Sequence, residues 1–182
     1  MLFSKIIGVG HYLPKKKMTN DDLSELVDTN DEWIISRTGI KQRHIAADKE
    51  FTSQLAIKAS EIAIKNANLA SSDIDYIIVA TTTPDQTFPS TACKVQESLK
   101  IKNSPAFDIQ AVCSGFIYAI QLADSLIKSN KAKNILVIGA ETLSKIVDWT
   151  DRRTCVLFGD GAGAIILSPG QKNEGVLATN LF

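Results

Sequence analysis

The 182-residue sequence is sparing with the residues that staple a fold from outside its core. It has three cysteines, Cys93, Cys113 and Cys155, widely spaced and with no CxxC pair. An odd, scattered set argues against a disulfide scaffold and against a zinc site, and it fits a reducing, cytoplasmic-type compartment. Neither charge dominates: 20 Lys and Arg balance 20 Asp and Glu. No broad nucleic-acid or membrane field is therefore expected. No apolar run approaches the roughly 20 residues of a membrane span. The opening Met-Leu-Phe-Ser-Lys-Ile-Ile-Gly is too short and broken for a signal peptide. No internal repeat or low-complexity segment is present. The two histidines, His11 and His44, read as packing or surface residues.

What remains is a chain long enough to bury a proper core, with β-branched runs alternating with amphipathic ones. Lys5 to Tyr12 reads as a first strand with Ile6, Ile7 and Val9 as its core, and Gly8 and Gly10 as points of close approach or a bulge. Lys15, Lys16 and Lys17 read as a solvated loop or as a phosphate or carrier-protein contact. Thr19 or Asn20 caps a helix to Val27 with Leu23 and Leu26 inward, and Asn30 caps a second. In that second helix Trp33 and Arg37 are four apart and share a face. A tryptophan beside an arginine suits stacking on a flat anionic ligand, though tryptophan also fills cores. Thr38-Gly39-Ile40 breaks the helix, and Lys41, Arg43 and His44 follow in an exposed-looking segment.

Thr52 caps a long helix from Ser53 to Ala67. Ile74 to Thr83 is a buried-strand pattern, and Pro84 and Pro89 bracket a loop carrying Phe88. Ser90 caps a helix to Leu99. Further strands are expected at Ala106 to Ala111, Asn134 to Gly139, from Cys155 to Ser168, and beginning at Gly175. Phe158-Gly159-Asp160-Gly161-Ala162-Gly163-Ala164 has the wrong spacing for a dinucleotide loop and reads as backbone passing close to the active-site helix.

Cys113 stands where an apolar run ends and Gly115 opens a helical pattern of Phe116, Ala119, Ile120, Ala123 and Ile127. It is expected in a tight strand-to-helix turn. The first amides of a helix lack intrahelical partners, and the dipole there is positive, so the place favours a thiolate and could hold an oxyanion. A nucleophile for acyl transfer is one reading, and a packed structural cysteine is the other.

The chain resembles the N-terminal half of the β-ketoacyl-acyl carrier protein synthase III family, of the thiolase superfamily. The resemblance rests on Asp28-Thr29-Asn30-Asp31-Glu32-Trp33-Ile34, Arg37-Thr38-Gly39-Ile40, Arg43-His44-Ile45-Ala46, Phe88-Pro89-Ser90, the Cys113 turn, Thr150-Asp151-Arg152 and the Phe158 to Ala164 segment. It implies an α/β thiolase-like half over residues 1–182: a mixed, mostly parallel five-stranded sheet with helices on both faces. It also implies condensation of an acyl-CoA primer with malonyl-acyl carrier protein through an acyl-cysteine on Cys113. Thr29, Trp33, Arg37 and Arg152 would then line the CoA site, with Trp33 and Arg152 against the adenine. Phe88, Leu143 and Phe158 would line the primer pocket, and Phe88 would reach the neighbouring subunit of a homodimer. Acyl-CoA would be a substrate, so no cofactor or metal is expected, and the setting would be a bacterial-type cytoplasm or a plastid stroma.

The family's catalytic histidine and asparagine, and a glycine amide completing its oxyanion hole, belong to its second half and have no counterpart in these 182 residues. The expectation is a domain that self-acylates but does not condense, and that uses the helix after Cys113 to pack on a C-terminal half. Two alternatives remain: a non-catalytic CoA-binding or dimerisation module, and another condensing enzyme of the superfamily.

Overall fold

The structure is a computed structural model and describes residues 3–171 and 174–181. Five strands form the main sheet in the order β1 (Phe3–Tyr12), β7 (Asp160–Gly170), β6 (Ile135–Thr142), β4 (Tyr76–Ala80) and β5 (Ala106–Ile109). β4 runs parallel to β5 and β6, while β7 runs antiparallel to both β6 and β1. This is the mixed five-stranded sheet expected, with two parallel and two antiparallel pairings. β2 (Lys16–Thr19) and β3 (Gln42–Ile45) make a separate antiparallel pair. The helices are α1 (Asn20–Ser24), α2 (Asp31–Thr38), α3 (Thr52–Asn66), α4 (Thr91–Ser98) and α5 (Gly115–Lys128). No helix among the described residues is long and apolar enough to cross a membrane.

The strand period of two sorts the core into two layers. Ile77, Val79, Leu136 and Ile138 face α3 and α4, where they meet Leu55, Ala59 and Val95. Ile78, Val137 and Ile165 face α5, where they meet Ala119, Ala123 and Ile127. Strands covered on both faces have no polar side to show, which is why β4 reads as an unbroken apolar run. A third cluster, around Leu23, Ile34, Cys155 and Val156, sits under α1 and α2.

β1 behaves as an edge strand. A Cβ on Gly8 would lie 2.3 Å from the Ala63 carbonyl oxygen, and one on Gly10 would lie 2.1 Å from that of Ala59. The glycines therefore admit the backbone of α3, as their spacing suggested, and the β1–β7 register slips between Ile6 and Gly8. Ile6 and Val9 are exposed rather than core residues, because the glycines take the face towards α3.

Other local expectations change for physical reasons. Lys16 and Lys17 belong to β2, with outward side chains. α1 stops at Ser24 and leaves Leu26 exposed. Arg43 is buried: its guanidinium donates to Asn20 Oδ1 at 2.9 Å and to the Val156 carbonyl at 3.0 Å. It thereby ties α1 to the turn before β7. Burial pulls the Arg43 pKa below the ordinary guanidinium value. His44 bonds through Nδ1 to the Pro14 carbonyl oxygen at 2.5 Å, the packing role expected of it. Thr52 is not a cap. Phe51 precedes α3, and Asp85 receives the Ser53 amide at 2.9 Å and the Ser53 hydroxyl at 2.6 Å. Cys155 lies in a buried turn, and β7 starts only at Asp160. The strand expected from Gly175 does not form over residues 175–181, and Phe182 lies outside the described residues.

The Gly10→Ala variant forces a methyl group against helix backbone that cannot swing aside. It should lose about 1–3 kcal/mol. Gly163→Ala, whose Cβ meets nothing within 4 Å, should stay within about 0.5 kcal/mol of the parent. Urea unfolding of both variants checks this.

Candidate active site

β4, β5 and β6 deliver their carboxyl ends to one edge of the sheet, the edge at which open parallel sheets place ligands. Cys113 sits there. After β5 the chain makes a 3-10 turn, Val112–Ser114, and α5 starts at Gly115. Gly115 would place a Cβ 3.3 Å from the Ala80 Cβ, and Gly139 would place one 3.2 Å from the Phe116 ring. These are the glycines that let the first turn of α5 approach the sheet. Gly159 and Gly161 instead pass Arg43, His44, Leu13 and Tyr12, a correction to the expectation that their segment runs beside the active-site helix.

Cys113 is exposed. Val112, just before it, has φ of 47°, a left-handed conformation that costs an L-residue about 1–2 kcal/mol. The Ser114 amide donates to the Ala111 carbonyl at 3.0 Å and the Gly115 amide to that of Val112. Those two donors are spent within the turn. The Cys113 amide makes no such turn hydrogen bond among the described residues.

A cavity of about 440 Å³ opens beside the thiol, and its lining includes Thr82, Val112, Cys113, Glu141, Leu143 and Phe158. Leu143 and Phe158 are thus brought to Cys113. Phe88 is not: it is 81% exposed on the loop between β4 and α4. That loop is tied down at both ends. Asp85 takes an ion pair from Lys94 at 3.1 Å besides its bonds to Ser53, and Asp108 of β5 accepts the Thr91 and Ala92 amides at 2.8 and 2.7 Å.

Glu141 and Asp160 were given no role by the sequence. Glu141 accepts the Thr82 amide at 2.8 Å, the Thr83 amide at 3.0 Å and the Thr83 hydroxyl. It holds Thr82, which lines the same cavity as Cys113. Asp160 is buried and accepts the Ala46 amide at 2.6 Å, the Ser144 amide at 2.8 Å and the Ser144 hydroxyl at 2.5 Å, which fixes the turn carrying Leu143. Carboxylates that gather distant amides leave no local motif. Only their position at strand ends marks them.

The second cluster lies on α2. The Asn30 side chain caps the helix by accepting the Trp33 amide at 2.7 Å, and Gly39 ends it with φ of 73°. The Arg37 guanidinium lies 4.5 Å from the Trp33 ring centroid, and the Arg152 guanidinium 4.8 Å. Arg152 also reaches Asp28 at 3.3 Å. Trp33 packs partly on the Leu23, Ile34, Cys155 and Val156 cluster, so it is both core filler and stacking surface. Thr29 Oγ1 is buried and has no hydrogen-bond partner among the described residues. Residues 143–154 join the two clusters. Leu143, Ile146, Val147, Asp148 and Thr154 line the Cys113 cavity, and Arg152 of the same stretch covers Trp33.

The other thiols are differently placed. Cys93 donates to the Ala106 carbonyl at 3.7 Å. Burial, with Asp151 adding, pushes the Cys155 thiol above its ordinary 9.0. Among the described residues no group of three or more His, Cys, Asp or Glu converges in a way that could hold a metal ion.

A sequence profile described as 3-Oxoacyl-[acyl-carrier-protein (ACP)] synthase III matches residues 107–182. The chain is 59% identical over 179 residues to the beta-ketoacyl-[acyl-carrier-protein] synthase III of Ehrlichia canis, covering 98% of this chain and 56% of that one. It is 58% identical over 182 residues to the enzyme of the same name from Thiobacillus denitrificans, covering 100% of this chain and 57% of that one. The chain thus spans about half the length of the curated relatives it matches. The crystal structure of 3-oxoacyl-[acyl-carrier-protein] synthase III from Aquifex aeolicus superposes with a TM-score of 0.90 at 58% identity, over 93% of this chain and 55% of that one. The Thermus thermophilus synthase III gives 0.89 at 46% identity, over 94% and 53%.

Two outcomes follow from this geometry. Glu141→Gln turns an amide donor towards backbone donors and should lower stability by about 1–3 kcal/mol, read as a fall in urea midpoint. In the second, iodoacetamide at pH 8 should alkylate Cys113 in the folded chain and spare Cys155 until the chain unfolds, as peptide mapping would show. The raised Cys155 pKa favours the folded state fully below 9.0. That contribution is lost as pH rises through the raised value.

Proposed function

We propose, from its similarity to β-ketoacyl-[acyl-carrier-protein] synthase III enzymes over about half their length, that this chain is the acyl-accepting domain of such an enzyme. In this reading it takes a primer from acyl-CoA onto Cys113 for later condensation with malonyl-acyl carrier protein, in the cytoplasm. The observation that carries the proposal is the continuity of residues 143–154. One stretch walls the cavity at an exposed cysteine and covers an arginine-flanked tryptophan with Arg152.

The adenine of CoA would stack on Trp33 between Arg152 and the ring, with Arg37 beside it and the orphan Thr29 hydroxyl available for a hydrogen bond. A guanidinium 4.8 Å from the ring centroid leaves no room for an intervening base. A sandwich needs about 7 Å, twice the van der Waals spacing, so entry of the base swings Arg152 outward by about 2 Å. The thioester would follow the 143–154 wall to Cys113. The Cys113 thiolate attacks the carbonyl carbon, and the carbonyl oxygen gains charge facing the Cys113 amide. The bond to the CoA sulfur then breaks, CoA leaves as a thiolate that picks up a proton, and the acyl group remains on Cys113. Leu143 and Phe158 would enclose it.

Condensation needs a histidine and an asparagine that the family resemblance assigns outside these 182 residues. His11 is exposed and His44 is tied to Pro14, so neither replaces them. The proposal therefore divides the chemistry: these residues acylate themselves, and a C-terminal half supplies the rest. Ile117 of α5 and Ile6 and Val9 of β1 are exposed apolar residues suited to that half. Phe88, exposed on an anchored loop, and β5, at the sheet edge, suit a homodimer contact.

Intact mass after incubation with acetyl-CoA should show one acetyl-sized gain that Cys113→Ser lacks. Trp33→Ala should raise the half-saturating acetyl-CoA concentration about tenfold, the worth of one lost base stack. No gain in the parent chain, with folding confirmed by circular dichroism, overturns acyl acceptance. Condensation by the 182-residue chain alone should fall at least about 10²–10³-fold below that of a full-length relative, the loss expected for one missing oxyanion donor. Equal turnover would refute the division of labour.

A further inference from the structure

We infer that Val112 selects among acyl chains by direct contact with the chain delivered to Cys113. The inference rests on the acyl-acceptor reading of that site and adds a specificity-determining residue to it. Five non-glycine residues have positive φ among the described residues: Asn68, Lys100, Asn103, Val112 and Asn130. Asn68, Lys100 and Asn130 lie just past the ends of α3, α4 and α5, where a left-handed residue commonly finishes a helix. Asparagine tolerates that conformation through its short polar side chain. Val112 fits neither description. It precedes a helix, and its β-branched side chain suits the left-handed region worst.

Strain of this kind persists when something else is gained. Packing does not supply the gain, because Val112 is 62% exposed and belongs to none of the three apolar clusters. Its methyl groups instead line the cavity at Cys113, together with Leu143, Ile146 and Phe158. The left-handed turn turns the neighbouring residues, Val112 and Cys113, towards the same space, whereas successive residues of an extended strand point to opposite faces. An acyl group on Cys113 then starts its course against Val112. The chemistry this fits is a saturated, uncharged chain whose first methylenes touch a branched apolar wall.

The test uses the whole 182-residue chain and two variants. Val112→Asn accepts the backbone conformation and removes the apolar contact. Val112→Gly accepts it and removes the side chain. Cys113 is alkylated with N-ethylmaleimide and with N-hexylmaleimide, each rate divided by its rate with glutathione, and modification at Cys113 is confirmed by peptide mapping. The ratio of hexyl to ethyl rates should fall in both variants by about fourfold, the equivalent of one buried methylene. The urea midpoint of Val112→Asn should equal or exceed that of the parent. With acyl-CoA donors, the half-saturating concentration for butyryl-CoA should rise more than that for acetyl-CoA. Hexyl-to-ethyl ratios that match the parent in both variants overturn the inference. So does a midpoint that drops in Val112→Asn, which would make the side chain a packing element. The maleimide arm needs no CoA, so it still decides the role of Val112 if the parent chain refuses every acyl-CoA and the acyl-acceptor reading itself fails.

Discussion

The distance between α5 and the parallel strands governs everything at the sheet edge. Gly115 lies against Ala80, and Gly139 against the ring of Phe116. Side chains at those two positions would lift the first turn of the helix off β4 and β6. Cys113 is set by that turn and not by contacts of its own, since it is exposed. Close helix–sheet contact therefore does two things at once. It buries the Ala119, Ala123 and Ile127 face and it brings a thiol to the edge where strands β4, β5 and β6 end. Core packing and site geometry are one arrangement here, because interiors packed at crystal-like density transmit small displacements.

Around that arrangement the loops are held by polar groups whose partners lie far away in the chain. Asp85, Asp108, Glu141 and Asp160 each accept two or more donors, at least one of them a backbone N–H, from another segment. Arg43 does the converse, donating to the Val156 carbonyl. A carboxylate that gathers amides in this way satisfies donors that loops would otherwise leave bare. It also makes the loops less free than their composition suggests. The result is a cavity with rigid walls on a framework of ordinary apolar strands.

The legibility of the chain follows from this division. Strands and helices of the main sheet could be read because each is specified by local periodicity: Ile77 to Val79 in β4, Leu55 to Ala63 in α3, and the alternation that makes α5. Cys113 could be read because a β-run ending in a cysteine before a glycine-led helix is also a local pattern. Trp33 and Arg37 were legible from their spacing, and Leu143 and Phe158 only through resemblance. The misses were non-local. Gly8 and Gly10 could be read as points of close approach, but nothing near Val9 says that this approach leaves Val9 itself exposed. Nothing near Arg43 says that Val156 waits for it, and nothing near Glu141 points to the amides of Thr82 and Thr83. The left-handed Val112 was also illegible, because propensity argues against it.

β7 separates β1 from the parallel strands and pairs with it from Phe3↔Gly170 to Tyr12↔Ala162. Among the described strands, β1 therefore joins the sheet only through β7, which is synthesised well after it. During translation, at about 5–20 residues per second, β1 spends roughly 10–30 s outside the ribosome before its partner has been made. In that interval Ile6, Ile7 and Val9 have no sheet to join. The edge of β6 that β7 will occupy is bare for part of the same time. Pairing across such a separation is slow to nucleate. The nascent chain is thus a client for whatever binds short apolar segments at the tunnel exit, and the sheet closes as a late event governed by the emergence of Gly170.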